Sequence, residues 1–128
     1  MRLLLDTHAL IWLFEGNPRL SETARSAIEA ADAATHVSAV SAIEVTTKYR
    51  SGKLPRMAAL AENFESLMAD YNFAALPVTL RHAQHAGLLA IPHKDPFDRL
   101  LIAQTRLEGM TLVSSEALFD GFGVVRLW

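Results

Sequence analysis

The chain has 128 residues, no cysteine and a formal net charge of −2. One domain spanning residues 1–128 is the simplest expectation, and it would bury roughly two thirds of the surface that the unfolded chain exposes. Disulfides and thiolate metal sites are excluded, and the small charge argues against coating nucleic acid through bulk electrostatics. We expect neither a signal peptide nor a membrane span, and therefore a cytoplasmic protein that has no membrane partner.

The first dozen residues contain an apolar run that ends in a carboxylate. Leu3 to Leu5 are typical of a strand buried on both faces, and Asp6 follows directly. In open parallel sheets ligands bind beyond the carboxyl ends of the strands, so Asp6 is a candidate for chemistry. The alternative is that Asp6 only caps a helix that begins near Ala9.

Helices and short strands then alternate along the chain. The apolar spacing and turn residues predict helices over residues 9–14, 21–32, 39–52, 57–71 and 80–89, and a further helix beginning at Pro96. Strands are predicted at residues 36–38, 73–78, 111–114 and 124–128, the last at a sheet edge. This alternation predicts an α/β fold with a parallel sheet and helices on both of its faces.

Glu44 is the second candidate acid, because it lies near the apolar side of its predicted helix. An acid in such a position is either paired or functional. The structural alternative is that Ser41 and Glu44 form a capping box, and that Lys48, four residues further on, pairs with Glu44.

The segment from Pro92 onward carries two more acids, one just before its predicted helix and one in the first turn of that helix. Asp95 is placed to cap the helix that Pro96 begins, so Asp98 needs another purpose in the first turn. Glu116 follows the predicted strand at residues 111–114 and is a second case of an acid after an apolar run.

Acids at converging strand ends repel one another unless protons or a cation neutralise them. Hard Mg²⁺ or Mn²⁺ prefers oxygen ligands, and it can activate water and stabilise charge on a phosphate. The chain has neither a His/Cys cluster suited to zinc nor a glycine-rich phosphate loop. The residues therefore favour metal-dependent phosphodiester hydrolysis over nucleotide binding.

The chain resembles the PIN-domain family in four segments, LLLDTHALIW, VSAVSAIEVTTKYRSGKL, HKDPFDRLLIAQT and TLVSSEALFDGFGVVRLW. Within that family it resembles the VapC-type ribonuclease toxins of type II toxin–antitoxin (VapBC) systems, over essentially its whole length. The resemblance implies a three-layer α/β/α sandwich with a central, mainly parallel sheet. It also implies a Mg²⁺-dependent or Mn²⁺-dependent endoribonuclease that hydrolyses RNA phosphodiester bonds.

The resemblance also assigns roles to individual residues. It implies that the catalytic, metal-binding acids are Asp6, Glu44, Asp98 and Glu116, and that the residues supporting them are Thr7, Asp95 and Ser114. The family usually has Thr-x-Asp where this chain has Ser114-Ser115-Glu116. Because glutamate is one methylene longer than aspartate, this departure concerns the strength of the activity more than its type.

Partners follow from the resemblance as well. It implies a homodimer inhibited by a cognate VapB-type antitoxin, whose tail lies across the acid pocket, and contact with operator DNA only through that antitoxin. We expect RNA phosphates to be held by basic residues near the acids, although an ordinary solvated surface is the alternative: Lys48, Arg50, Lys53, Arg56, Lys94 and Arg99.

Two other functions compete with the nuclease. One is a weakly active or inactive module that serves mainly as the antitoxin's partner in a DNA-bound repressor complex, and Glu116 is the residue that favours it. The other is a phosphatase-like or response-regulator-like domain built on Asp6. Thr7 and His8 do not supply the second acid of the common phosphatase pattern, and no lysine follows the strand at residues 111–114.

Overall fold

The first strand occupies the centre of a five-stranded sheet in the computed structural model, which describes residues 1–128. The sheet order is β3-β2-β1-β4-β5, and every neighbouring pair is parallel. The strands are β1 Arg2–Leu5, β2 Ala34–Ser38, β3 Ala74–Leu76, β4 Thr111–Val113 and β5 Val125–Leu127. The predicted parallel sheet is confirmed, and the last strand lies at an edge as expected.

Seven helices connect and cover these strands. They are α1 Thr7–Glu15, α2 Glu22–Glu29, α3 Ala39–Arg50, α4 Ala58–Glu62, α5 Phe64–Asp70, α6 Leu80–Leu88 and α7 Pro96–Glu108. A 3₁₀ turn, Ala117–Phe119, follows β4. No helix is long and apolar enough to span a bilayer.

The side chains of β1 point alternately into two separate cores. Leu3 and Leu5 pack in one core with residues of α1, α2, α4 and α5, whereas Leu4 packs in the other with Leu101 and Ile102 of α7. All three β1 leucines are completely buried. Helices therefore cover both faces of the sheet, which confirms the three-layer α/β/α sandwich.

The single helix predicted over residues 57–71 is wrong. The chain forms two helices, α4 and α5, because the backbone of Asn63 leaves the helical region at φ −125° and ψ 32°. The side-chain amide of Asn63 donates to the Ala59 carbonyl at 3.2 Å, the same carbonyl that accepts from the Asn63 backbone amide, and asparagine side chains compete with helical backbone bonds in this way. Leu60 and Met68 still contribute to one core.

The strand register brings the candidate site together. Leu5 of β1 pairs with Val37 of β2 and with Val113 of β4. The chain leaves all three strands at the same edge, and the Asp6 amide still donates to the Val113 carbonyl at 3.0 Å. Asp6 and Ser114 therefore follow neighbouring strands at the carboxyl edge of the sheet.

Candidate active site

Asp6 is a capping residue and a member of the site at once. Its Oδ1 accepts a hydrogen bond from the Ala9 amide at 2.7 Å, which caps α1, and its side chain also lines a cavity. Only 4% of the residue is exposed. Burial raises the pKa of Asp6 to about 6, while the Ser114 hydroxyl and the Ala9 amide act in the opposite direction. Asp6 therefore caps α1 as the alternative predicts and also lines the cavity, while its part in chemistry stays a prediction.

Glu44 is fixed by a chain of hydroxyl groups. Thr7 Oγ1 donates to Glu44 Oε1 at 2.7 Å and lies 3.0 Å from Ser41 Oγ. Because Thr7 has one hydroxyl proton and donates it to Glu44, Ser41 is the donor in the second bond. Burial raises the pKa of Glu44, and the Thr7 bond and the charge of Lys48 oppose that rise.

The capping-box interpretation of Glu44 is wrong. The residue that caps α3 is Ser38, whose hydroxyl accepts from the Val40 amide at 3.0 Å, and Ser41 is completely buried within the helix. Lys48 forms no ion pair with Glu44. The carboxylate instead faces the cavity that Asp6 lines.

Asp98 lies in the first turn of α7 and has a histidine partner. His93 Nε2 is 2.6 Å from Asp98 Oδ2, and both side chains are 28% exposed. Burial raises the pKa of Asp98, His93 lowers it, and the charges of Asp95 and Glu116 raise it further. Asp95 caps the helix as predicted, since its Oδ1 accepts from the amides of Phe97 and Asp98 at 2.8 and 3.3 Å.

Glu116 is positioned by the backbone after β4. Its amide donates to Ser114 Oγ at 3.0 Å, and it precedes the 3₁₀ turn. Ser114 is completely buried, so its hydroxyl fixes the Glu116 backbone from the interior of the protein. The Glu116 side chain points into the same cavity as the other acids.

One cavity of about 310 Å³ collects these acids. Lys48 and His8 are the basic residues of its lining, and its carboxylates are Asp6, Glu44, Asp95, Asp98 and Glu116. The charges of neighbouring acids raise the pKa of Asp6, Glu44 and Asp98 in addition to burial. The cavity, called here the acidic cavity, is therefore a strong attractor for a cation.

A family model described as the PIN domain matches residues 3–123. The chain belongs to the PIN domain family. A search of curated protein sequences found no match.

Solved structures show the same PIN fold. The chain is similar to VapBC2 from Rickettsia felis bound to a promoter DNA fragment, with a TM-score of 0.71, 14% identity, and coverage of 98% of this chain and 97% of that one. It is similar to a toxin–antitoxin complex from Klebsiella pneumoniae, with a TM-score of 0.67, 24% identity, and coverage of 96% and 95%. DNA-bound VapBC from Salmonella typhimurium matches with a TM-score of 0.69, 18% identity, and coverage of 98% and 96%.

The donor set of this PIN domain fits a hard divalent cation. Every acid in the cavity offers oxygen atoms, and the cavity has room for an ion that keeps several water ligands, as Mg²⁺ does. No three His, Asp or Glu side chains are close enough together to form a ready-made metal cluster. Holding a small ion through three of these acids therefore requires side-chain movement or bridging water.

Arg99 has a structural task that its sequence position does not reveal. Its guanidinium donates to five backbone carbonyls, at distances from 2.6 to 3.3 Å, and these are Ala86, Gly87, Leu89, Ile91 and His93. A guanidinium has five N–H donors, so none remains for a phosphate. Arg99 is therefore not among the RNA-binding residues that we propose.

The other basic candidates divide into two groups. Lys48 and Lys53 line cavities next to α1. Arg50 and Arg56 are exposed and line neither of these cavities. Lys94 is exposed beside Asp95. Their part in RNA binding stays a prediction.

Two residues of the site have roles that the sequence pattern does not predict. Ser41 fits a capping box by its sequence but supports Thr7, and His93 contacts Asp98. For His93 the available signal was its place five residues before Asp98, next to the helix cap. No local signal could identify Ser41, because its partner lies 34 residues away in the sequence.

Proposed function

We propose that this PIN domain is a Mg²⁺-dependent or Mn²⁺-dependent endoribonuclease and acts as the VapC-type toxin of a toxin–antitoxin pair. The observation that carries the proposal is the convergence of five carboxylates on one cavity at the carboxyl edge of the sheet. Such a cavity suits a divalent ion, and a phosphodiester would bind there through that ion rather than through the carboxylates.

Within this proposal Asp6, Glu44, Asp98 and Glu116 would hold the ion. Mg²⁺ or Mn²⁺, when bound, would lower the pKa of a water ligand and would neutralise charge on the phosphate. Thr7 orients Glu44 by donating its proton, and His93 fixes one oxygen of Asp98. Asp95 holds the first turn of α7, and Ser114 holds the turn before Glu116.

We also propose a VapB-type antitoxin as the partner. Support comes from the solved structures of similar fold, which are VapBC or toxin–antitoxin complexes and in two cases hold DNA. An acidic cavity suits a basic side chain from such a partner, because an arginine pairs with two carboxylate oxygens. Contact with operator DNA would then occur through the antitoxin.

A homodimer is part of the same proposal. Leu80 and Leu88 lie eight residues apart on α6 and are 91% and 76% exposed, which makes this helix the candidate for the contact between copies. A Leu80→Glu/Leu88→Glu variant should lower the mass measured by light scattering from dimer to monomer. An unchanged dimer mass would remove α6 from the interface, and a monomeric parent chain would overturn the dimer itself.

The nuclease proposal is tested by inducing the chain in a bacterial culture and by incubating the purified protein with total RNA and Mg²⁺. Asp6→Asn is the test variant, and Asp70→Asn, which removes an exposed acid at the end of α5, is its matched control. We expect growth arrest and chelator-sensitive RNA cleavage from the parent chain and from Asp70→Asn. Asp6→Asn should lose both.

The alternative, an inactive module that partners the antitoxin, predicts a different result. Neither growth arrest nor metal-dependent cleavage would occur at good yield of folded protein, whereas antitoxin-dependent binding to operator DNA would persist. Equal arrest by the parent and by Asp6→Asn would contradict the nuclease proposal, because the harm would not require the acidic cavity.

A further inference from the structure

A second cavity of about 310 Å³ adjoins the acidic cavity, and His8 and Lys48 line both. Its remaining lining includes Trp12, Arg19 and Lys53. We call it the basic cavity. A polymer whose phosphate enters the acidic cavity would pass over this second cavity with its neighbouring unit, because the two share a wall.

The charge of the basic cavity is opposite to that of its neighbour. Arg19, Lys48 and Lys53 line it and none forms an ion pair, so an anion need not displace a salt bridge. Lys48 also acts on Glu44 through its charge, whereas Arg19 and Lys53 line only the basic cavity. Glu15 is its single acid, and the side-chain amide of Asn17 donates to Glu15 Oε1 at 3.3 Å. Unpaired basic side chains at the surface are the groups that hold nucleic acid phosphates.

An aromatic face accompanies these cations. The rings of His8 and Trp12 lie 5.7 Å apart, centroid to centroid, and are tilted by 31°, while Trp128 supports the indole at 5.8 Å. Trp12 is half-buried, so the ring is held in place and one part of it faces the cavity. Unpaired bases stack on aromatic side chains of this kind, whatever their sequence.

The backbone fixes the position of Arg19 relative to Trp12. The Asn17 backbone amide donates to the Trp12 carbonyl at 2.9 Å, and Asn17 Oδ1 accepts from the Arg19 backbone amide at 2.9 Å. The backbones of Trp12 and Arg19 are thus held at opposite ends of one short turn, and the exposed Arg19 side chain extends from a fixed point.

We propose that the basic cavity binds the nucleotide adjacent to the cleaved phosphodiester of single-stranded RNA. Trp12 stacks on its base, and Arg19, Lys48 and Lys53 hold its phosphate. A base inside a duplex cannot reach the indole, so the site selects unpaired RNA. This inference rests on the proposed nuclease function and adds the class of RNA and the residues that select it.

Binding is tested without cleavage, in an Asp98→Asn background, with a labelled single-stranded RNA of twelve nucleotides in Mg²⁺. The double variant Arg19→Ala/Lys53→Ala should weaken binding about tenfold and make its salt dependence shallower, because fewer counterions are released. The charge-matched control is Arg25→Ala/Arg81→Ala, on α2 and α6, which should change affinity less than about threefold. Equal losses in both double variants would overturn the proposal.

Stacking is tested through intrinsic fluorescence. The chain has two tryptophans, so in a Trp128→Phe background the emission reports on Trp12 alone. Single-stranded RNA should quench it, and a duplex of the same sequence should not. Trp12→Leu should weaken binding about tenfold whereas Trp12→Phe retains most of it. If Trp12→Leu fails to fold, absence of quenching in the Trp128→Phe protein still overturns the stacking role.

The outcomes separate this inference from the proposed function. RNA cleavage by the parent chain together with unimpaired binding by Arg19→Ala/Lys53→Ala would overturn the basic cavity and leave the nuclease standing. RNA binding at the basic cavity without cleavage by the parent chain would overturn the nuclease proposal and leave the basic cavity as an RNA-binding site. A polyglutamate peptide that displaces the RNA at equal charge concentration would assign the cavity to an acidic protein segment and overturn the RNA proposal.

Discussion

Thr7 and Glu44, 37 residues apart in the sequence, are joined by a hydrogen bond of 2.7 Å in which the hydroxyl donates to the carboxylate. The bond links the first turn of α1 to the middle of α3, and Ser41 completes it by donating to Thr7. The threonine next to Asp6 therefore holds one oxygen of the second acid and opposes the rise in its pKa that burial causes.

Replacing Thr7 with valine should reduce metal-dependent RNA cleavage about tenfold. Valine keeps the shape of threonine but cannot donate, and a hydrogen bond to a charged group contributes about 1.5–3 kcal/mol, less for a half-exposed carboxylate such as Glu44. The Thr7 bond lowers the pKa of Glu44, so its loss should move the acidic limb of the pH–rate profile to higher pH.

Thr7→Ser is the matched control for this effect, because serine keeps the donor and loses only a methyl group. It should retain most of the activity and the parent pH profile. A Thr7→Val variant with normal activity and an unshifted pH profile would show that Glu44 needs no orientation from Thr7.

Asp6→Asn should stabilise the metal-free protein at pH 8 by about 1–2 kcal/mol. Burial raises the pKa of Asp6 from 3.8 to about 6, so its contribution to stability is complete below pH 4 and is lost as pH rises through about 6. The whole difference corresponds to at most about 3 kcal/mol. Asparagine carries no charge and still accepts from the Ala9 amide, so it avoids that loss.

Thermal unfolding in chelator at pH 8 and at pH 4.5 measures this effect, and the advantage of Asp6→Asn should shrink at the lower pH. Added Mg²⁺ should raise the melting temperature of the parent more than that of the variant, because binding to the folded state stabilises it. An Asp6→Asn protein that is less stable than the parent at pH 8 without metal would contradict a raised pKa.

The sequence predicted the sheet and most of the acids for identifiable reasons. Buried parallel strands are continuous apolar runs, as at Leu3 to Leu5 and Thr111 to Val113, and the acids that follow two of them meet because parallel strands end at one edge. Capping by Asp95 could be predicted because the cap and the helix are adjacent in the sequence.

Contacts between residues that are distant in the sequence could not be predicted from it. The five carbonyl partners of Arg99 come from a helix end and a loop whose path is set by packing, so the sequence offered only a cation beside an acid. The break at Asn63 was missed for a related reason. An apolar period of three and four residues continues through it, and periodicity does not report a local side-chain bond to the backbone.

Arg99→Lys should loosen the loop at residues 89–95 and lower cleavage at least fivefold. Lysine has three donors on one point charge and cannot satisfy five carbonyls arranged around a planar fork. We expect a loss of about 2 kcal/mol in the free energy of unfolding, with faster amide hydrogen exchange confined to the end of α6 and this loop. His93, which the loop carries, would then no longer hold Asp98.

Arg81→Lys, at an exposed position of α6, is the control and should change neither quantity. Cleavage that falls because of lost RNA contact would appear as weaker RNA binding with normal hydrogen exchange. That pattern would show that Arg99 touches the substrate after all.

Glu116→Asp should preserve or raise metal-dependent cleavage. Glu116 is placed by its amide bond to Ser114, and its side chain has no hydrogen-bond partner, so the longer arm is free to move. Aspartate has one fewer rotatable bond and loses less side-chain entropy on binding a cation. Glu116→Gln, which keeps the length but not the charge, should lower the affinity for Mg²⁺ severalfold, as measured by titrating the metal dependence of cleavage. A substantial loss of cleavage in Glu116→Asp, with Glu116→Gln unaffected, would remove Glu116 from the metal-binding set and leave three acids to hold the ion.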